Sequence, residues 1–326
     1  MTVDDTMTGH TTTEVGVRIG LSAVVIALRE RQAVVLTTHA PDGASALPFG
    51  PFDPAGDRTF ELALRDFVTE QTGFALGFVE QLYTFGDIGR ASPRATPGPR
   101  PAREVSVGYL ALTPEGAETP EFGTGGRVAS WTPLFDIFPW EDWRKGEPAI
   151  LPVLRDALTA WAGIDTRRMA RADSLFALSP ESRWNEERVL ERYELLYEAR
   201  LVSEAARDHD CPQPAPLNDL AMASDHRRIA ATGLGRLRSK LKYRPVLFDL
   251  MPEIFTLSSL QNAAEAVSGL TLHKQNFRRG VERTGLVAAT GQMATDTGGR
   301  PAELYRYVGP EMAGGSAPGL ALPGQR

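Results

Sequence analysis

Cysteine is almost absent from these 326 residues, with Cys211 standing alone. A single thiol cannot close an intrachain disulfide, so the core must hold the fold, and the usage fits a reducing cytoplasm. Long apolar runs are missing too. No stretch approaches the roughly 20 apolar residues needed to span a bilayer, so no membrane partner is expected. The opening MTVDDTMTGHTTTEV lacks the basic start and apolar centre of a secretory signal and reads as a disordered leader. No G-x-S-x-G, P-loop or G-x-G-x-x-G pattern supports a hydrolase triad or a separate nucleotide fold. Histidines number five and are scattered. The run Arg207–Cys211 (RDHDC) has no second ligand cluster at zinc spacing and reads as a polar loop.

What remains is a chain with 42% hydrophobic and 23% charged residues, the balance of a globular protein long enough for two or three domains. Its net charge of −6 is unevenly spread. Residues 222–308 carry 13 Lys+Arg against 7 Asp+Glu, or +6, which leaves 22 against 34, or −12, for the rest. A basic module on an acidic body suits a polyanion partner. Chance clustering of solvated charge accounts for the same numbers.

Periodicity places the elements. Val17–Glu30 and Ala33–Ala40 are β-rich runs around a short polar break, which predicts a hairpin. A Pro/Gly/Asp-dense loop leads into GDRTFELALRDFVTEQTGF, Gly56–Phe74. There Phe60, Ala63, Leu64 and Phe67 recur at helical spacing, and Gly73 supplies the stop. VEQLYTFGD and Glu104–Thr113 read as strands, separated by a flexible Pro/Arg-rich loop. Pro133 and Pro139 prevent one helix over VASWTPLFDIFPWEDW. LPVLRDALTAWAG is an amphipathic helix expected to pack on top of the first domain. Asp165 to about Ala215 is helical, with Val189, Tyr193, Leu196 and Ala199 in register. SDHRRIAATGLGRLRSKLKY is a basic helix capped by Asp225 that ends before Pro245.

The C-terminal pattern is helix, Gly-containing turn, helix. Thr256 caps a stripe of Leu257, Leu260, Ala264 and Val267, and Gly269 makes the break. In the second helix Gln275 and Arg279 lie opposite Phe277, with Arg278 beside them. Two strands, Leu286–Ala289 and Glu303–Val308, follow around a Gly-rich tip bearing Arg300, which is a wing. Gln and Arg can make bidentate bonds to base edges, and cations neutralise phosphates. His273 and Lys274, at the helix N-terminus, suit phosphate contact. The DNA-contact set is therefore His273, Lys274, Gln275, Arg278, Arg279 and Arg300. A winged-helix module for protein interaction shares the same outline.

Gly56–Phe74 and its flanking strands resemble a Nudix domain, whose signature runs G-x5-E-x7-R-E-U-x-E-E-x-G-U. The resemblance implies glutamates that hold Mg²⁺ against a diphosphate. Setting Arg65-Asp66 on R-E also matches Glu70, but puts Thr69 in place of a glutamate and brings the closing glycine one residue late. Setting EQTGF on E-E-x-G-U puts Gln71 in place of a metal-binding glutamate and Asp66-Phe67 on R-E. Neither register restores the carboxylates. Asp66 and Glu70, one turn apart, are the residual metal candidates, and no catalytic residue is expected.

Together with VSVGYLAL, SDHRRIAATGLGRLRSKLKYRPVLFDLMP, FTLSSLQ, HKQNFRR and GRPAELYRY, this pairing resembles the Nudix-related transcriptional regulators of NAD metabolism, the NrtR type. The resemblance implies an α+β chain: an N-terminal Nudix-like α/β/α sandwich joined by a helical segment to a C-terminal winged helix-turn-helix. The boundaries are a leader at 1–15, the sensor at 16–164, a helical linker at 165–220, the winged helix at 221–309 and a disordered tail at 310–326. It further implies a homodimeric repressor of NAD-metabolism or transport genes that binds double-stranded operator DNA and senses ADP-ribose or a related nucleotide. No cofactor is required, with Mg²⁺ relevant only if hydrolysis survives. The effector-binding residues are not legible. Two readings stay open beside it: an active Mg²⁺-dependent Nudix hydrolase of a nucleoside diphosphate compound, and a nucleotide-binding scaffold that does not touch DNA.

Overall fold

The computed structural model describes residues 16–40, 43–73, 76–87, 103–114, 129–209, 220–294 and 301–309. The leader, the tail, Cys211 and Arg300 lie outside them, as does most of the Pro/Arg-rich loop.

Strands β1 (Val17–Arg29) and β2 (Gln32–His39) form the expected antiparallel hairpin, with Ile26 opposite Val35. Glu30 and Arg31 turn it with φ of 49° and 65°. Two consecutive left-handed residues match the twist of the strands they join. After β3 (Ser45–Ala46), β4 (Phe49–Pro51) pairs antiparallel with the start of β1. Helix α1 (Phe60–Thr72) begins where Thr59 Oγ1 accepts from Leu62 N at 3.2 Å and ends at Gly73, φ 67°. Strands β5 (Phe78–Phe85) and β6 (Arg103–Leu112) are antiparallel, while β6 runs parallel to β1 from Val17–Arg103 to Ile26–Leu112. Strand β7 (Ser130–Pro133) pairs with β2. The order is β3-β2-β1-β6-β5, with β4 on β1 and β7 on β2.

Both faces of this sheet are covered, which explains why β1 reads as a continuous apolar run rather than an alternating one. Leu21, Ala23 and Val25 point to one side and share a cluster with Ala63, Leu64 and Val68 of α1. Val24, Ile26 and Leu28 point to the other. The sequence placed LPVLRDALTAWAG on top of this domain. After the short α2 (Leu134–Ile137) and a 3-10 turn at Pro139–Glu141, this segment does form a helix, α3 (Leu151–Ala162). It packs on α4 (Thr166–Phe176), however, and a later helix takes the sheet. Helices α5 (Val189–Glu198), which closes at Ala199 as its register predicts, and α6 (Ser203–His209) come first, separated at Arg200, φ 58°.

Helix α7 (His226–Leu241) is the one that lies on β1, β5 and β6. It has the apolar breadth to do so: Ile229, Ala230, Leu234 and Leu237 are all fully buried. Gly233 permits the approach, since a Cβ there would stand 3.0 Å from a Val24 methyl. A mid-helix glycine costs roughly 1 kcal/mol against alanine, which close packing on β1 offsets. Asp225 sits at the N-cap position but does not cap; its carboxylate pairs with Arg228 at 3.2 Å. The layers are therefore α1, sheet, α7, and the sandwich is α/β/α as expected.

Beyond a 3-10 turn at Val246–Leu250, β8 (Ile254–Thr256) leads into α8 (Leu257–Ser268), α9 (Lys274–Thr284), β9 (Val287–Ala294) and β10 (Ala302–Tyr307). Thr256 Oγ1 accepts from Ser259 N at 3.0 Å, so the predicted cap forms. The wing strands pair as anticipated, and the unforeseen β8 joins them in the order β8-β10-β9. Among the described residues no helix is long and apolar enough to cross a membrane.

Candidate effector cavity and nucleic-acid interface

A cavity of about 300 Å³ opens between the start of β1, β4, the end of α1 and the head of α7. That is the low end of the range for small-molecule sites. Phe49 and Phe85 give it apolar wall, and Ser106, Asp225 and His226 give it polar groups. The His226 ring is buried, 5.0 Å from the Phe49 ring, and its Nδ1 accepts from Leu47 N at 3.1 Å. Burial, and then the nearby Arg207 charge, lower its pKa to about 4, so it is neutral near pH 7. With Nδ1 engaged as acceptor, the ring proton sits on Nε2. The sequence placed His226 only as a helix-start residue; its role in a cavity wall depends on β4 folding over it, which no local pattern encodes.

Helix α1 meets this cavity through Gln71. Its Nε2 donates to Phe49 O at 2.7 Å, and its own carbonyl oxygen is buried without a hydrogen-bond partner. The left-handed Gly73 that ends the helix falls on the closing glycine of the Nudix signature only in the second register. In that register Gln71 stands where a metal-binding glutamate would.

The residual carboxylates lie on the solvent side of α1. Asp66 and Glu70 are both exposed, and Glu61 is held by Arg65 at 2.9 Å. Arg65 is itself anchored to Leu76 O at 2.6 Å and Gly77 O at 3.1 Å. Phe67, on the glutamate position of the second register, packs against Gly50 of β4, where an added Cβ would lie 3.2 Å from the ring. No group of three or more His, Cys, Asp or Glu able to hold a metal occurs among the described residues. Two carboxylates one turn apart would leave most of a Mg²⁺ shell to water and phosphate oxygens.

The outer face of α9 is as predicted. Phe277 and Val281 are buried, while His273, Lys274, Gln275 and Arg279 are exposed. Arg278 is different: half-buried, it donates from Nη2 to Ser258 Oγ of α8 at 3.2 Å, which ties the two helices together. Arg300 lies outside the described residues. Two residues that the sequence did not single out set the entry to α9. Glu265 Oε1 accepts from Leu272 N at 2.8 Å, and Gln261 Nε2 donates to Leu272 O at 2.9 Å.

The basic excess of 222–308 has a different home from the one expected. Residues 222–245 hold 7 Lys+Arg against 1 Asp+Glu, and 246–308 hold 6 against 6. All +6 therefore belongs to α7 and its flanks, where Arg227, Arg238 and Lys240 are buried. Arg227 bonds to Ile137 O at 3.1 Å and Glu204 Oε2 at 3.2 Å, and Lys240 pairs with Glu80. Arg238 and Arg192 share the fully buried Glu141, at 2.5 Å and 2.6 Å. Burial pushes that carboxyl up, and the two guanidiniums with their hydrogen bonds outweigh it and hold it below the usual carboxylate range. Arg236, Lys242 and Arg244 stay exposed, so net charge overstates what is open to a polyanion, and the local face of α9 is the sharper signal for DNA.

Residues 247–307 match the family model of the NrtR DNA-binding winged helix domain. The ADPR responsive transcriptional repressor NtrR of Acinetobacter baylyi is 40% identical over 89 residues, 27% of this chain and 35% of that protein. The match thus spans about a third of that curated relative. Over 90% of this chain and 95% of the other, the fold is that of Shewanella oneidensis NrtR in its complex with a 27mer DNA, at TM-score 0.55 and 22% identity. A MutT/nudix family protein from Enterococcus faecalis shares the fold over 89% of this chain and 86% of its own, at TM-score 0.53 and 15% identity.

Proposed function

We propose that the protein is a DNA-binding transcriptional repressor of the NrtR type, whose Nudix-like body senses ADP-ribose or a related nucleotide. The observation that carries this reading is the exposed face of Lys274, Gln275 and Arg279 on α9, within a segment that matches the NrtR DNA-binding domain. Gln275 and Arg279, one turn apart, have the donors and acceptors for base edges in a major groove, and Lys274 with His273 sits at the helix N-terminus, where phosphate is favoured.

The cavity is the site we assign to the effector, with the aromatic wall of Phe49 and Phe85 suited to a base or ribose face. The name of the Acinetobacter repressor, which is responsive to ADPR, supplies the candidate. The Nudix-like body runs through α7, and the winged helix begins after Pro245. A cytoplasmic homodimer would present two recognition helices to a palindromic operator, and NAD-metabolism or transport genes are its targets. The degenerate carboxylate set favours sensing over Mg²⁺-dependent hydrolysis.

The test is fluorescence anisotropy of the protein's own promoter DNA, titrated with and without ADP-ribose. Wild type should be retained and then released by the nucleotide, and a Gln275→Ala/Arg279→Ala variant should not be retained. No retention of wild type leaves the nucleotide-binding scaffold. Efficient ADP-ribose hydrolysis with Mg²⁺, lost in Asp66→Ala/Glu70→Ala, restores the hydrolase.

A further inference from the structure

Two elements that line the cavity touch the helix-turn-helix at their other ends. Helix α7 has His226 in the cavity wall as its first residue. Its 16 residues span about 24 Å. Twelve residues on, Arg238 Nε donates to Val267 O, in the last turn of α8, at 3.0 Å. The same guanidinium holds Glu141 at 2.5 Å and Glu186 O at 2.9 Å. Strand β1 likewise begins in the cavity at Arg18–Ser22, and the hairpin turn that follows it places Arg31 Nη2 3.0 Å from Asn262 Oδ1 of α8.

The turn between α8 and α9 rests against this junction. Gly269 caps α8 with φ 74°, and a Cβ there would run into the Glu141 carbonyl oxygen and stand 2.8 Å from Arg238 Nη2. Trp143 N donates to Gly269 O at 2.7 Å, and Thr271 Oγ1 donates to Arg144 O at 2.7 Å. Nothing here is soft. Arg238 and Glu141 are buried, Gly233 seats α7 tightly on β1, and the turn has no room beside the Glu141–Arg238 pair. A close-packed junction of this kind shifts as a unit instead of absorbing a displacement locally.

We propose that α7 transmits occupancy of the cavity to the helix-turn-helix, with Arg238 as the positioning residue that couples the two. A ligand acceptor taken by the His226 Nε2–H moves the head of α7. The tail, clamped between Glu141 and Val267 O, re-aims the end of α8 and with it the Leu272 turn that launches α9. This rests on the function proposed above and specifies how its two sites communicate.

The test measures promoter-DNA affinity across an ADP-ribose titration, and ADP-ribose affinity by calorimetry, for wild type and Arg238→Lys. Lysine keeps the charge and loses the forked contacts to Val267 and Glu186. Wild type should lose about tenfold or more in DNA affinity at saturating ADP-ribose. Arg238→Lys should bind ADP-ribose as wild type does, yet show less than about a twofold loss. An undiminished loss in Arg238→Lys overturns the proposal. If wild type fails to bind ADP-ribose or to respond to it, the functional reading fails first. Hydrogen exchange on wild type settles the case even if the variant does not fold. Addition of ADP-ribose should alter protection in 226–241 and in 265–273, and a change confined to the cavity strands refutes the proposal.

Discussion

Helices α7 and α9 look alike as sequence and are opposites as structure. HRRIAATGLGRLRSKL and KQNFRRGVERT each carry paired arginines, a mid-helix glycine and a histidine at the start or one residue before it. In α7 Arg227, Arg238 and Lys240 turn inward to carboxylates and carbonyls, and eleven of the sixteen residues are buried. In α9 only Phe277 and Val281 are buried, and Lys274, Gln275 and Arg279 face outward. The difference lies in the apolar residues between the charges. Ile229, Ala230, Ala231, Leu234, Leu237 and Leu241 wrap α7 on more than one side, which marks a helix enclosed by neighbours. A charge count cannot distinguish a cation that neutralises a buried glutamate from one that awaits a phosphate; the apolar width of the helix can.

The sharpest way to break this comparison is to remove the carboxylate on which the inward cations depend. Glu141→Ala leaves Arg192 and Arg238 buried without their counter-charge. We expect a loss of about 3–5 kcal/mol in urea unfolding. A loss below about 1 kcal/mol would mean that α7 does not hold its cations inside. On α9 the expectation is reversed. Arg279→Ala should leave unfolding within about 0.5 kcal/mol of wild type. It should weaken promoter binding by about 1–3 kcal/mol and relax the preference at one base position.

What the sequence made legible follows from the range of each signal. Local signals were sufficient for the β1–β2 hairpin, the Phe60-to-Gly73 span of α1, the Thr256 cap and the outward face of Gln275 and Arg279, because periodicity and capping act within a few residues. Which helix covers the second sheet face is a long-range question. LPVLRDALTAWAG and α7 are both able to bury a face, and the choice is made by Gly233 against Val24, which are over 200 residues apart in the chain. The cavity is non-local for the same reason, since Leu47, Phe49 and His226 converge only once β4 lies beside α7. Strand β8 has three residues and owes its state to the β10 edge beside it. Arg278 was read by its position on the helix wheel, which cannot foresee that Ser258 of the neighbouring helix would take it.

His226 offers a gentler probe of the inward helix. Its folded pKa of about 4 lies below the ordinary value of 6.5, so between those values the unfolded chain binds more protons. Stability from this group is therefore complete above about pH 6.5 and declines as pH falls towards 4. From pH 7 to pH 5 the expected loss is about 2 kcal/mol, read as a drop in the urea midpoint. His226→Asn, whose Oδ1 lies near the place of Nδ1 and can still accept from Leu47 N, should flatten that part of the profile. An unchanged slope in the variant would place His226 in solvent rather than in the cavity wall.

The smallest effect tests the comparison from its other side. Arg236 is an exposed cation of α7. If the basic excess of 222–245 served DNA, removing Arg236 would lower the salt dependence of promoter binding by about one phosphate contact, a slope change near 0.9. With α7 committed to the body, Arg236→Ala should leave both the slope and the stability unchanged, the latter within about 0.5 kcal/mol. Lys274→Ala, on α9, should reduce the slope by about 0.9 in the same titration. Lys274 and Arg279 are exposed on α9, and the phosphate contact of each should be individually visible in this titration. Equal slopes for the two variants would erase the distinction between the helices.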